Sequence, residues 1–293
     1  MWRAFPLDGK AVLTENKIRQ ERKVKQIKAI GKAFVVAFSI YSKIPMPRFT
    51  WESEDMKYHL CFFPWVGAVI GGIAWLWSFL CMQRDLGSMA FVFLGLAIPI
   101  LITGGFHLDG FMDTCDALHS YQDREKKLEI LKDPHIGAFA VICVAAYLMM
   151  AAGSLAIVAT LGSEGTLRWE AGRVMGVLCM GFFLSRTLSG ISVVTMQGAK
   201  KKGMLQTFSD TAGKKTVLVI LAVQMILCAA GMIWLCPACG LAAIFGAGLS
   251  YLYYWRMSEK QFGGITGDLA GYFVSVAELM MLMAVALLCV IMA

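Results

Sequence analysis

The chain has 293 residues, of which 58% are hydrophobic and only 16% charged, and its formal net charge is +7. Soluble domains carry roughly 25% charged residues, so this composition excludes an ordinary soluble enzyme and indicates a polytopic membrane protein. The excess apolar residues fall in blocks about 17 to 25 residues long, the length that crosses a hydrocarbon core.

The N-terminal part is polar and basic, and it has no apolar run of the kind that a secretory signal carries. We expect residues 1–32 to form a cytoplasmic extension and residues 33–293 to form one membrane-embedded domain. The apolar block 33–44 is too short to span a bilayer and contains Lys43. It therefore predicts an interfacial or re-entrant helix.

Longer apolar blocks follow along the chain, and each is predicted to be a transmembrane helix. Their approximate bounds are 60–82, 88–106, 136–162, 172–195, 216–235, 239–256 and 269–292. The predicted fold class is thus all-α, a polytopic integral-membrane bundle of about seven transmembrane helices with a short N-terminal helix.

The lysines and arginines predict how the bundle is oriented in the membrane. The N-terminal part to about residue 59 and the loops 107–135, 196–215 and 257–268, with Arg256, hold 23 of the 27 basic residues. Basic residues concentrate in cytoplasmic loops, so these parts are predicted to face the cytoplasm. A site for soluble substrates is then expected on the cytoplasmic face.

A cluster of acidic residues follows the second predicted span, in the stretch GGFHLDGFMDTCDALHS. Asp109, Asp113 and Asp116 are separated by four and then three residues, which places them on one face of a helix. Like charges at this spacing repel unless a cation neutralises them. Carboxylates with substrate phosphates are typical ligands of Mg²⁺, and Mn²⁺ would also suit them. The spacing therefore favours a metal–phosphate site over a solvated acidic loop.

A histidine, His107, lies two residues before the first of these carboxylates. Such a side chain could act as an acid, a base or a hydrogen-bond donor to phosphate. A lone histidine is more often structural, and that alternative stays open.

Two further polar loops belong to the same predicted face of the membrane. Lys200, Lys201 and Lys202, bracketed by glycines, would suit a polyphosphate or would simply anchor a cytoplasmic loop. Lys132 lies in a second polar stretch, EILKDPHIGAF, directly before the third span.

The last span has polar residues at its start and within it. Thr266 and Asp268 lie among glycines in QFGGITGDLAGY, where a helix N-terminus could approach an anion closely. Arg186 and Glu278 fall inside predicted spans at similar depth, ~14 Å from the cytoplasmic ends. We predict that they pair with each other, or that Arg186 reaches a substrate phosphate.

Taken together, GGFHLDGFMDTCDAL, the upstream IPMPRFTW and FFPWVGAVIGG, and the late GGITGDLAG resemble the cobalamin synthase family, whose members are adenosylcobinamide-GDP ribazoletransferases. The resemblance covers residues 33–292, and the HLDG-x-x-D-x-x-D core is its specific part. Ala117 departs from the glycine that the family often has there, which leaves the carboxylates in place. The basic N-terminal extension is longer than usual.

The resemblance implies a late step of vitamin B12 assembly in the bacterial cytoplasmic (inner) membrane. α-Ribazole, or its 5′-phosphate, would attack the β-phosphate of adenosylcobinamide-GDP and release GMP, with Mg²⁺ required. Asp109 and Asp113 would mainly hold metal, and Asp116 would be a ligand or the base. The lysines 200–202 would contact the diphosphate or nucleotide, and Asp268 would be a second ligand or a substrate contact.

The lipid bilayer is the expected environment, homo-oligomerisation is left open, and no nucleic-acid partner is expected. A transporter and a non-catalytic scaffold are the two alternatives to a transferase. A transporter would use the acidic loop as a cytoplasmic gate, yet the second half of the chain has no counterpart of that loop, whereas transporters commonly contain repeats. A non-catalytic scaffold would not need three carboxylates in helical register.

Overall fold

The computed structural model of the chain describes residues 28–52, 55–84, 86–160, 168–199 and 213–292. These residues are almost entirely helical, which confirms the predicted all-α class. The helices are α1 (28–41), α2 (Phe63–Arg84), α3 (Gly87–Thr103), α4 (Phe106–His119), α5 (Arg124–Ile130), α6 (Ala138–Thr160), α7 (Arg168–Thr195), α8 (Lys214–Leu235), α9 (Pro237–Met257) and α10 (Gly267–Met292). A short 3₁₀ turn precedes α2, and a π-helical turn, Ser258–Phe262, continues α9.

Six of these helices are long and apolar enough to cross a membrane by themselves: α2, α6, α7, α8, α9 and α10, some with their adjoining turns. The predicted span 88–106 is the exception. Here α3 and α4 are long and apolar enough to cross a membrane only when taken together, and the two helices are bent by 94°. The described residues therefore contain six candidate spans and one bent pair of helices. The acidic helix α4 lies outside the six.

The bend between α3 and α4 is made by two successive glycines. Gly104 and Gly105 have φ angles of 65° and 80°, in the left-handed region that residues with a Cβ rarely adopt. A left-handed glycine commonly ends a helix, and two in a row redirect the chain. The sequence GG thus places the HLDG motif at the start of a separate helix.

Helix α1 is not among the candidate spans and packs on the bundle. Its Phe38 and Tyr41 belong to a buried cluster with Phe63 of α2 and Val274 of α10. The tyrosine ring also lies 4.1 Å from the Phe63 ring, centroid to centroid. The predicted short helix is thus present, but it runs over 28–41 instead of 33–44.

Large apolar side chains remain exposed along the outward faces of the long helices, for example Leu101, Met149, Trp234 and Ile291. Such a surface would be a liability in water but is the expected boundary with lipid. It fits the predicted bilayer environment.

The acidic helix α4 packs between α10 and α6. Gly110 permits the close approach to α10, since a Cβ there would lie 2.7 Å from the Asp268 carbonyl oxygen. Farther along, the Phe111 and Tyr272 rings stack at 5.4 Å. The glycine at the crossing therefore brings the first turn of α10 beside the acidic face of α4.

Candidate active site

Carboxylates from two helices gather on one face of α4. Asp109 is exposed and Asp113 is partly buried one turn later, as their spacing predicts. Burial raises the pKa of Asp113 to about 6, and the charges of Asp109, Asp268 and Asp116 act in the same direction. Asp268 lies in the first turn of α10, and the backbone there packs against Gly110 of α4. The structure brings together residues that lie about 160 positions apart in sequence.

The loop before α10 is fixed from both sides. The Thr266 hydroxyl accepts a hydrogen bond from the Leu269 backbone N–H at 3.2 Å, so this residue caps the helix. Ile265 forms a parallel β-bridge with Gly198, in which the Ala199 N–H donates to the Ile265 carbonyl at 2.9 Å. Ala199, which leads into the lysine-rich loop, is therefore hydrogen-bonded to Ile265, the residue before the Thr266 cap.

Asp116 makes a different set of contacts from the other carboxylates. One of its oxygens accepts the Gly137 N–H at 2.8 Å and the other accepts the Ala140 N–H at 2.8 Å. These donors belong to the N-terminus of α6, where backbone N–H groups have no helical partner. Asp116 thus acts as a cap that joins α4 to α6. Sequence spacing alone could not reveal this, because the partner lies 21 residues away.

Within the described parts of the chain, neither Asp109 nor Asp113 makes an ion pair with a basic side chain. In the same parts, no three His, Cys, Asp or Glu side chains converge closely enough to ligate one metal ion. Magnesium commonly takes only one or two carboxylates, with water and substrate phosphates as its other ligands. The donors present therefore fit a divalent cation that is completed by substrate.

His107 lies on the other side of α4. Residues two positions apart on a helix do not share a face, and here the imidazole is buried and lines an internal cavity, while Asp109 is exposed. The ring stacks with Phe63 at 5.7 Å, and the backbone carbonyl accepts the Ser275 hydroxyl at 3.4 Å. The structure does not bring His107 into the carboxylate cluster.

Arg186 and Glu278 pair inside the bundle, as predicted. Arg186 Nη1 lies 2.6 Å from Glu278 Oε1, with side-chain exposures of 1% and 14%. The Ser185 hydroxyl donates to the same carboxylate oxygen at 3.0 Å, and the Phe182 carbonyl accepts from Nη1 at 2.8 Å. The sequence did not predict this contact of Ser185, although a polar residue beside an intramembrane arginine can indicate one.

The structure describes only one of the four lysines predicted to bind substrate. Lys132 is exposed just beyond α5, on the loop that leads to the Asp116 contact. Lys200, Lys201 and Lys202 lie outside the described residues, so their predicted role is not tested by the structure.

Comparison with known proteins identifies one family. Residues 33–286 match the model of the cobalamin-5-phosphate synthase family. Adenosylcobinamide-GDP ribazoletransferase of Lachnoclostridium phytofermentans is 39% identical over 85% of this chain and 91% of its own length. The enzymes of the same name from Clostridium perfringens and Desulfitobacterium hafniense are each 30% identical, covering 86% and 85% of this chain and 96% and 94% of their own. No solved structure matches the chain.

Proposed function

The chain belongs to the cobalamin-5-phosphate synthase family, and we propose that it is an adenosylcobinamide-GDP ribazoletransferase of late cobalamin biosynthesis. It joins adenosylcobinamide-GDP with α-ribazole, or α-ribazole 5′-phosphate, and releases GMP. Beyond family membership, the proposal depends on one observation: Asp109 and Asp113 lie one turn apart on α4, beside the first turn of α10, which carries Asp268 and packs against Gly110.

The carboxylate cluster is the proposed centre of the reaction. Transfer between two phosphate esters depends mainly on positioning and on neutralising charge. A divalent cation, Mg²⁺ or Mn²⁺, would supply charge neutralisation at the diphosphate. Asp109 and Asp113 would hold it from α4, with substrate phosphates and water as its other ligands, and Asp268 would contact the substrate from α10.

The same carboxylates also have to receive a proton. The attacking ribazole hydroxyl loses a proton as its bond to phosphorus forms, and a carboxylate within hydrogen-bond reach can accept it. Among the four acids, Asp116 is the least suited to this role or to ligation, because both of its oxygens already accept backbone N–H groups. We therefore assign Asp116 to positioning α4 against α6.

Substrate binding is proposed on the cytoplasmic side. The Thr266 loop is bonded to Ala199, and Lys200 to Lys202 follow directly in the sequence. These lysines, together with Lys132, would attract the diphosphate and nucleotide. The concentration of basic residues in the loops that contain them supports a cytoplasmic orientation in the bacterial inner membrane.

GMP release is the direct test. Purified protein in lipid nanodiscs would receive adenosylcobinamide-GDP, α-ribazole and Mg²⁺, and GMP would be quantified over time. We expect Mg²⁺-dependent release that EDTA stops and that Asp109→Asn abolishes. The exposed Glu129→Gln on α5 is the matched control and should leave turnover unchanged.

The same preparation separates the transferase from its rivals. Well-folded protein that releases no GMP with either ribazole or its 5′-phosphate would contradict the proposal. Substrate movement across the bilayer of reconstituted liposomes, without turnover, would support a transporter instead.

A further inference from the structure

An open groove lies where the C-terminal end of α9 meets the C-terminal end of α4. It has a volume of about 550 Å³, and its walls come from these two helices and from the π-helical turn after α9. Asp109, Asp113 and Asp268 do not line it, so the groove is separate from the proposed centre of transfer.

The polar end of the groove consists of hydrogen-bond donors. Arg256 and Lys260 are exposed there, four residues apart, and neither makes an ion pair within the described parts of the chain. Gln261 Oε1 accepts from Lys127 Nζ at 2.6 Å, which leaves the amide –NH₂ of this glutamine to donate. None of the described lining residues is an aspartate or a glutamate. This end therefore complements an anion with several acceptor oxygens.

The wall that α4 contributes is held in a fixed position. His119 Nδ1 lies 2.8 Å from the Cys115 carbonyl oxygen, to which it donates. The imidazole also stacks on the Phe139 ring of α6 at 4.8 Å, with the two planes 10° apart. The groove is therefore shaped before any ligand arrives, which lowers the cost of ordering on binding.

The other end of the groove is apolar. Leu249, Leu252 and Tyr253 of α9 line it, and all three side chains are exposed. Their spacing of three and four residues places them on one face of the helix. The stretch Pro237–Phe262 is a candidate membrane span, so this face is expected to contact acyl chains. An apolar strip thus leads from the donors at the end of the span into the bilayer.

We propose that this groove binds one anionic glycerophospholipid, with its phosphate between Arg256 and Lys260 and an acyl chain along Leu249 and Leu252. Long basic side chains near the end of a span reach the headgroup level, which is where a lipid phosphate lies. Basic pockets beside transmembrane helices are suited to anionic headgroups. The inference goes beyond the proposed function and does not depend on the reaction.

Two other occupants fit the groove less well. A soluble phosphate would use the polar end only and would leave the apolar strip uncovered. A zwitterionic lipid would bring its own cation beside Arg256 and Lys260, where like charges repel. Both an anionic head and an apolar tail are therefore needed to match the whole groove.

Phosphatidylglycerol is the probe, and phosphatidylcholine with the same acyl chains is its matched control. Purified protein in detergent would be titrated with each lipid, and bound lipid would be counted by native mass spectrometry. We expect one phosphatidylglycerol to bind at least tenfold more tightly than phosphatidylcholine. Inorganic phosphate in hundredfold molar excess should not displace it.

A double variant tests the polar end. Arg256→Gln with Lys260→Gln keeps hydrogen-bonding side chains but removes both charges, so the preference for phosphatidylglycerol should fall towards unity. Arg84→Gln is the matched control, because Arg84 is an exposed arginine at the end of α2 and does not line the groove. It should bind phosphatidylglycerol as the native protein does.

A second pair of substitutions tests the apolar strip. Leu249→Ala with Leu252→Ala should weaken phosphatidylglycerol binding at least fivefold, because the acyl chain loses its contact surface. Ile226→Ala with Leu227→Ala is the control, since these exposed residues of α8 lie outside the groove. Thermal unfolding without added lipid would verify that every variant is folded.

Three results would overturn the inference. One is equal affinity for phosphatidylglycerol and phosphatidylcholine. Another is phosphatidylglycerol binding that is as strong in Arg256→Gln with Lys260→Gln as in the native protein. The third is displacement of the lipid by inorganic phosphate or GMP, which would indicate a site for soluble phosphates. If GMP release failed while lipid binding followed the expected pattern, only the proposed function would be lost.

Discussion

The two faces of α4 present ionisable groups in opposite ways. On the outer face, Asp109 and Asp113 lie beside Asp268 with no basic partner for the two α4 residues in the described structure. Beneath the inner face, Arg186 and Glu278 neutralise each other inside the bundle. The first arrangement places like charges near each other, whereas in the second the two charges are opposite and paired. The like charges of Asp109 and Asp113, and not the buried pair, therefore mark the site that we propose for the reaction.

Breaking the buried pair should have the largest effect. Arg186→Ala leaves Glu278 as an unpaired charge inside the bundle, so we expect a loss of about 3–5 kcal/mol in the free energy of unfolding. The double variant Arg186→Met with Glu278→Leu should recover most of that loss. Chemical unfolding in detergent micelles measures both. If the losses from Arg186→Met and Glu278→Leu made singly add up to the loss in the double variant, the residues do not interact.

Removing one charge from the outer face should affect activity and spare stability. Asp113→Asn is expected to lower kcat for GMP release about 10²–10³-fold, by analogy with the removal of one group that stabilises transition-state charge. Its thermal midpoint should stay the same or rise, because one source of repulsion disappears. Loss of fold together with loss of activity would show that the cluster is structural.

Asp116 differs from its two neighbours because it lies on the acidic face of α4 but joins that helix to α6. Asp116→Asn keeps one acceptor oxygen and loses the other, which should cost about 1–3 kcal/mol of stability. Amide hydrogen exchange at Gly137 and Ala140 should accelerate. Protection at these two amides that stays at the native level would remove the capping role.

The smallest effect is expected at the start of α10. Thr266→Ala removes the helix cap and should cost about 1 kcal/mol, while Thr266→Ser should retain it. Turnover in Thr266→Ala could fall further than its loss of stability explains. If Thr266→Ser did not show this extra fall, the hydroxyl would also contact substrate. Thermal unfolding and GMP release measured on the same preparations distinguish the two.

Much of this organisation could be predicted from sequence, because it depends on local periodicity. Helical spacing correctly placed Asp109 and Asp113 on one face, and matching depth in two spans predicted the Arg186–Glu278 pair. The cap between Asp116 and Gly137 could not be predicted, since its register depends on how α6 docks on α4. The position of His107 follows from local spacing: closeness in sequence to Asp109 suggests a shared site, but residues two apart on a helix lie on different faces.

Metal binding at the outer face is the most direct test of the difference between the two regions. Mn²⁺ would be titrated into the purified protein in the presence of GDP, which supplies diphosphate oxygens, and free Mn²⁺ would be followed by electron paramagnetic resonance. We predict that Asp113→Asn weakens Mn²⁺ binding at least tenfold, while Asp116→Asn and Glu129→Gln bind as the native protein does. Equal affinity in Asp113→Asn and the native protein would contradict a cation site at this cluster.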